Sequence, residues 1–341
     1  FDGMVASFED ITERKRNEYL LASELQVLEM ISTNVSLPEI LERLVLGIEA
    51  MSQDTIASVL LLDPDGLHVH YGAAPHLPDE YNRALEGSEI GPNAGSCGTA
   101  AYRREPVIVT DIEIDPLWDS YRELARTFGL QACWSTPIMN SKERVLGTFA
   151  MYYRQPRRPQ DEDFKLIERA THIAKIAIER KRAEWALRES EERLVAIFKA
   201  APGSMMLSSL PDGKTLEVND NFSLITGYSR EEAIGKTTGD LSMWSDPDAR
   251  DRFLSILQSV GLVRDFEADL NHKSGTIRNG LVSGRIITVQ GKKYLLGTFY
   301  DITARKTTEK ALAESEERYR AIVSNIPGGL IHIFDRDMRY V

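Results

Sequence analysis

The spacing of hydrophobic positions changes several times along this chain. From Asp161 to about Phe198 there is no glycine or proline, and apolar or small residues fall at Ile173, Ile176, Ala183, Leu187, Ser190, Leu194 and Ile197. Most are three or four apart, a heptad seam broken by Arg180. Two readings stay open: one long amphipathic helix against its own domain, or a parallel dimeric coiled coil joining two domains. The length, about three times that of a mean globular helix, favours the second. Residues 12–35 also predict a helix. Ser36-Leu37-Pro38 interrupts it, and Pro38 suits the first turn of a new helix running to about Ser52. Shorter apolar runs predict strands at Ile56–Leu62 and Leu67–Tyr71 with a turn at Asp63-Pro64-Asp65-Gly66. After a loop at Gly91–Ser96 come a helix at Cys97–Arg103, a strand at Val107–Thr110 and a helix at Asp119–Phe128. Gln131–Met139 and Val145–Tyr153 form a second hairpin around Asn140–Glu143.

Beyond residue 200 the pattern predicts strands at Ser204–Ser209 and Thr215–Val218, and small helices at Asn221–Thr226 and Glu231–Ile234. A longer helix, Pro247–Val260, precedes strands at Val263–Leu270, Thr276–Thr288 and Lys292–Phe299. Asp301-Ile302-Thr303 then leads into another charged helix. An eighteen-residue stretch from Arg180 recurs from Arg305, 125 positions later, with twelve identities, among them Ser190-Glu191-Glu192-Arg193 against Ser315-Glu316-Glu317-Arg318. A repeat of domain length marked by a charged helix means an array of modules on helical connectors. That organisation suits relaying a signal better than catalysis in one cleft.

The 341 residues allow two or three domains, and the composition, 42% hydrophobic and 27% charged, is that of a globular chain. A net charge of −11 argues against a general nucleic-acid binder. The longest aliphatic run, Val59 to Leu62, is far short of the roughly 20 residues of a membrane span, and no signal peptide is visible; the expected location is the cytoplasm. Cys97 and Cys133 are the only cysteines, too few for a disulfide framework, and the six histidines show no metal-site spacing.

Residues 203–303 resemble a PAS domain. The resemblance rests on Val218-Asn219-Asp220-Asn221-Phe222, Thr226-Gly227-Tyr228-Ser229-Arg230-Glu231-Glu232, Ile234-Gly235-Lys236, Trp244-Ser245-Asp246-Pro247 and the Asp301-Ile302-Thr303 exit. Residues 28–180 resemble a GAF domain through Gly95-Ser96-Cys97-Gly98-Thr99-Ala100-Ala101, Pro106 to Ile112, Asp115-Pro116-Leu117-Trp118, Ala132 to Ile138 and Gly147 to Tyr153. The resemblance implies an α+β fold: two antiparallel-sheet sensor domains joined by long coiled-coil connector helices. The expected order is the end of a preceding PAS domain (1–12), a connector (13–35), a GAF domain (28–180), a long connector (161–199), a PAS domain (200–303), a connector (304–324) and the start of a further PAS domain (325–341). Both ends read as cut, so the chain is expected to be the middle of a larger protein. Such modules sit in bacterial sensors that end in a histidine kinase or in cyclic-di-GMP synthesis and hydrolysis domains. None of those output motifs occurs in this sequence.

Cys97 sits in a glycine-flanked turn opening a helix, where the positive helix end lowers a thiol pKa. Its setting is similar to a cysteine motif of GAF-fold free methionine sulfoxide reductases. Those enzymes need a further cysteine before the next strand, and between Cys97 and Cys133 there is none. A sulfenic acid at Cys97 could be resolved within the chain only if Cys133 lay within about 6–7 Å, Cα to Cα. Cys97 is therefore expected to line a GAF cavity or to be a buried small hydrophobe, with thiol reduction as an alternative. Tyr71, Cys133 and Trp134 are further cavity candidates, core packing being the plainer reading of the Cys133-Trp134 pair. In the PAS module Asn219, Asn221 and Trp244 are ligand-cavity or structural candidates; the two asparagines suit backbone hydrogen bonding, and Trp244 suits packing. Ile173, Ile176, Leu187, Leu194 and Ile197 are the expected dimer seam. The long PAS helix lacks histidine, and the attachment motifs for flavin and bilin are missing, so no haem, photoreactive flavin, bilin or metal is expected. The reading is a sensory region that binds a small ligand or partner and relays its state as a homodimer to an output domain in the same parent chain. A ligand-free dimerisation spacer is the other alternative.

Overall fold

The computed structural model describes residues 12–52 and 54–324. It divides into two compact units between Arg188 and Glu189. The domain remnants expected at 1–12 and 325–341 lie outside the described residues, except for Thr12, which begins a helix.

In the first unit, α1 (Thr12–Ser32) and α2 (Leu37–Glu49) precede β1 (Ile56–Leu62), β2 (His68–Ala73), α3 (Asp79–Leu85), β3 (Ser88–Glu89), α4 (Gly95–Arg103) and β4 (Val107–Val109). A 3-10 turn at Pro116–Trp118, α5 (Arg122–Thr127), β5 (Ala132–Met139), β6 (Val145–Tyr153) and α6 (Asp161–Ala200) follow. Ser36 starts α2 through a capping box with Glu39, which satisfies two helix-end donors at once. The six strands form one antiparallel sheet in the order β3-β2-β1-β6-β5-β4. Its centre is covered on both faces, which explains why β6 is apolar nearly throughout. One face packs on Val27 and Ile31 of α1, Ile40 and Leu44 of α2, and Ile173 and Ile178 of α6. The other packs beneath α3, α4 and α5, through Tyr81, Cys97, Ala101 and Ala125. β1 and β6 approach closely at Gly147, where a Cβ would collide with the Leu60 carbonyl oxygen. The α3 helix was not visible in the sequence pattern: it spans seven residues and buries only Tyr81.

The second unit contains β7 (Ser204–Ser209), β8 (Thr215–Val218), α7 (Asp220–Thr226), α8 (Arg230–Ala233), α9 (Pro247–Val260), β9 (Leu262–Asn271), β10 (Ile277–Val289), β11 (Lys292–Asp301) and α10 (Thr303–Ser324). Its antiparallel sheet runs β8-β7-β11-β10-β9. Phe253 and Leu257 of α9 pack on Val263, Val282, Leu295 and Phe299. Gly280 lets the Phe299 ring lie flat over β10, since a Cβ there would enter the ring. The Asp301 carboxylate accepts the Thr303 N–H at 2.8 Å and pairs with Arg278 at 3.3 Å, while Thr303 Oγ1 accepts the Asn279 N–H at 3.0 Å. These bonds fix where β11 ends and α10 begins.

The fold is therefore α+β, with two antiparallel sheets and a long helix after the first. That helix spans 40 residues. Its first half belongs to the first unit: Ile167, Ala170, Ile173, Ala174, Ala177 and Ile178 are core residues. Lys181 donates to the Thr33 carbonyl at 3.0 Å, and Arg182 to that of Leu62 at 2.6 Å. From 183 to 197 every residue is exposed.

Candidate functional site

The pleat of β5 and β6 decides which side chains meet. Cys133 and Ser135 of β5, and Thr148, Ala150 and Tyr152 of β6, share one face, with Cys133 directly opposite Tyr152. Ser58 of β1 joins them, its hydroxyl 3.3 Å from the Tyr152 hydroxyl. The N-terminal end of α4 lies over this face. Gly95 opens it with φ +59°, a conformation glycine adopts without strain. Ser96 then donates to the Cys133 carbonyl at 3.0 Å and accepts the Trp118 indole N–H at 3.0 Å. The next residue, Cys97, brings its Sγ to 3.5 Å from the Tyr152 hydroxyl. Tyr81 closes the site from α3, its ring edge-on to Tyr152 at 6.0 Å and to Phe128 at 5.9 Å.

A cavity of about 30 Å³ lies here, lined by Leu60, Tyr81, Ser96, Cys97, Trp118 and Tyr152 among others. That is room for a molecule of two or three heavy atoms rather than a nucleotide or a chromophore, a water needing about 10–15 Å³. Two polar atoms on this sheet face, Ser135 Oγ and Thr148 Oγ1, are buried without a hydrogen-bond partner.

The electrostatics single out Cys97. The Cys133 thiol beside it, then the Tyr152 hydroxyl, lower its pKa from 9.0 to about 7, against the opposing effect of burial. Cys133 moves the other way: burial pushes it well up, and Cys97 adds to that. Burial likewise raises Tyr152 and Tyr81, so both stay protonated donors.

Of the GAF residues singled out in the sequence, Cys97 and Cys133 meet at this site; the other two do not. Trp134, next to Cys133 on a strand, must face the opposite side. There it packs on Tyr153 with ring centroids 4.5 Å apart, lies under the Arg157 guanidinium, and donates its indole N–H to the Arg157 carbonyl at 3.2 Å. Tyr71 is 43% exposed. It stands past the short β3, which pairs only with His68 and Val69, and its hydroxyl accepts the Ala74 N–H at 3.2 Å. The site residues missing from the sequence reading are Ser58, Tyr81, Trp118, Ser135, Thr148 and Tyr152. A signal existed for three of them: Ser135, Thr148 and Tyr152 interrupt apolar strands at every-second-residue spacing, on the face of Cys133.

In the second unit Asn219 is a hub. It is 1% exposed; Oδ1 accepts the N–H groups of Met205 at 2.8 Å and Phe222 at 3.0 Å, and Nδ2 donates to the Gly203 carbonyl at 2.9 Å. Asn221 donates to the Ala201 carbonyl at 2.6 Å. Trp244 pairs through its backbone with Leu270 and packs on Phe253 at 5.5 Å. Within the seam read from the sequence, Ile173 is 6% exposed inside its own unit and Ile176 packs on the same core, so these two serve the domain interior instead of an open seam. Leu187, Leu194 and Ile197 are 62%, 64% and 62% exposed. Among the described residues, Asp63, Asp65 and His68 come within ligand distance of one another, but His70 already bonds Asp63, and His68 bonds Asp65.

Each unit is thus an antiparallel sheet with flanking helices. Residues 34–179 match the GAF domain and residues 202–304 the PAS domain, so the chain carries a GAF domain followed by a PAS domain. It is 37% identical over 318 residues to the methyl sulfide methyltransferase-associated sensor of Methanosarcina acetivorans, covering 92% of this chain and 31% of that protein. The chain thus spans about a third of that relative's length. Among solved structures it is similar to the PAS domain of an HTR-like protein from Haloarcula marismortui, at 27% identity and a TM-score of 0.32, over 36% of this chain and 99% of that one. It is also similar to the GAF domain of an Acinetobacter phosphoenolpyruvate-protein phosphotransferase, at 19% identity and a TM-score of 0.37, over 49% of this chain and 97% of that one. These sensor domains carry a sensory signalling role. No described helix is long and apolar enough to cross a membrane.

Proposed function

We propose that this chain is the input and relay region of a cytoplasmic signalling protein. Its GAF cavity takes a small ligand, and paired helices carry the resulting state to an output domain, a histidine kinase or a cyclic-di-GMP enzyme, elsewhere in the parent chain. The observation that carries the reading is the division within α6. Its first half is core to the GAF unit; its second half presents Leu187, Leu194 and Ile197 to solvent at heptad spacing. The same row recurs in α10, where Leu312, Tyr319 and Ile322 stand 61%, 69% and 54% exposed, each 125 positions after its counterpart. Isolated helical stripes of this kind are stabilised by a second copy in register. A ligand that prefers one packing of the GAF sheet then biases the register or crossing of the helices, a coupling typically worth about 1–3 kcal/mol. Light scattering of the purified chain tests the pairing: a dimer at micromolar concentration is expected, and a monomer at high micromolar concentration contradicts the relay.

The homologue's name as a sensor supports the sensory role over a bare spacer. The choice among ligands rests on the chemistry of the cavity.

A further inference from the structure

The two cysteines lie 36 positions apart in sequence, yet the fold gathers them at one site. Ser96 bonds the Cys133 carbonyl at 3.0 Å, and Cys97 reaches the hydroxyl of Tyr152, the residue directly across from Cys133. Both thiols are free and buried, and only Cys97 lines the cavity. The hydroxyls of Ser135 and Thr148 are buried without partners on the sheet face of Cys133. Tyr152 is a hydrogen-bond donor placed where a Cys97 thiolate would accept it, and Ser135 and Thr148 are uncommitted donors on the same sheet face.

We propose that Cys97 and Cys133 form a peroxide-reactive pair: a small hydroperoxide entering the cavity oxidises Cys97 to a sulfenic acid, and Cys133 resolves it as an intramolecular disulfide. The proposal rests on the sensory reading and names its ligand class. In the first step the Cys97 thiolate attacks the terminal peroxide oxygen. An S–O bond forms, the O–O bond breaks, and the leaving oxygen takes a proton to depart as water or an alcohol. In the second step Cys133 sulfur attacks Cys97 sulfur; the S–S bond forms, the S–O bond breaks, and the hydroxide takes the Cys133 proton to leave as water. Two thiols lose one electron each and the peroxide oxygens gain both. The roles divide by environment. Cys97, lowered to about 7, is substantially thiolate at neutral pH, whereas Cys133, raised by burial, stays a thiol until Cys97 has reacted. The cavity of about 30 Å³ admits hydrogen peroxide and excludes bulky oxidants. The product ties α4 to β5, in the middle of the GAF unit.

The test exposes the whole chain to a few equivalents of hydrogen peroxide. The protein is then unfolded in N-ethylmaleimide and the intact and peptide masses are read. The expected result is the loss of two hydrogens, no maleimide on either cysteine, and a Cys97–Cys133 cross-linked peptide from a single chain. The oxidation rate should be half-maximal near pH 7. In Cys133→Ser, unfolding in dimedone directly after the peroxide step should trap Cys97 as the sulfenic acid; in Cys97→Ser, oxidation of Cys133 should fall by about tenfold or more, its thiolate fraction being that much smaller. Maleimide on both cysteines after peroxide treatment overturns the proposal. So does a cross-link between two chains, or oxidation of Cys133 in Cys97→Ser at the wild-type rate. These masses score the chemistry whether or not the helices respond, so failure here leaves the relay standing, and failure of the relay leaves the disulfide standing.

Discussion

The Tyr152 hydroxyl lies 3.5 Å from Cys97 Sγ while its own strand position faces Cys133, so one phenol connects the N-terminal end of α4 to the centre of the sheet. Tyr152→Phe removes a donor to the thiolate and leaves the ring packing against Tyr81. A hydrogen bond to a charged group is worth about 1.5–3 kcal/mol, and one pKa unit is 1.36 kcal/mol, so the pH midpoint of Cys97 alkylation should rise by about one unit or more. A pH–rate profile with a small alkylating agent checks this; an unmoved midpoint removes Tyr152 from the account.

Asn219 satisfies the N–H groups of Met205 and Phe222 and bonds the Gly203 carbonyl from a position 1% exposed. Asn219→Ala orphans buried backbone groups and deletes the cap of α7. The PAS unit should lose about 2–4 kcal/mol, read by urea denaturation followed at the PAS tryptophan, Trp244. A loss of a few tenths would mean water replaces the amide at no cost.

Ile173 and Leu187 lie on one helix but answer to different neighbours. Ile173→Ala should destabilise the GAF unit by about 2–4 kcal/mol, as a buried aliphatic truncation does, without changing the association state of the folded protein. Leu187→Asp, at an exposed position, should leave GAF melting within about 0.5 kcal/mol and weaken the dimer, read by light scattering across a dilution series. The reverse pattern would place the dimer contact inside the GAF unit.

His70 sets its two ring nitrogens against two carboxylates, Glu86 at 2.6 Å and Asp63 at 2.9 Å. Only the imidazolium can donate to both. The Glu86 bond, then that of Asp63, raises the His70 pKa above its ordinary 6.5. A raised folded-state pKa means that the stabilisation is complete below the unfolded value and disappears as pH rises through the folded one. The pair is over a third exposed, so the effect is small, about 1 kcal/mol at most after screening. His70→Gln should therefore melt lower than the wild type at pH 5.5 and close to it at pH 8.5. A difference that grows toward pH 8.5 would contradict the assignment.

Much of the fold was legible because its elements carry regular signals. Ile56–Leu62, Val145–Tyr153 and Pro247–Val260 appear at the residues their periodicity predicts. What periodicity could not give was depth and side. Cys133 and Trp134 looked alike as cavity candidates, yet the pleat sends them to opposite faces. Ile173 and Leu187 share a helical stripe, and the sequence alone does not say where along it the domain core ends and solvent begins. The cavity escaped for a similar reason. Tyr81 and Trp118 come from short elements that bury one large side chain each, and only tertiary packing brings them over Tyr152.

The central claim, that the state of the GAF cavity is transmitted along α6, is tested most directly by hydrogen–deuterium exchange. The Cys133→Ser variant, in which no disulfide can form within the chain, is measured with Cys97 free and again with Cys97 carrying the S-methyl group left by methyl methanethiosulfonate. Filling the cavity should change exchange in α4 and β6 and also shift the exchange rates of residues 187–200 by about fivefold or more, the effect of a coupling near 1 kcal/mol. A change confined to α4 and the sheet, with 187–200 exchanging as before, would contradict the relay.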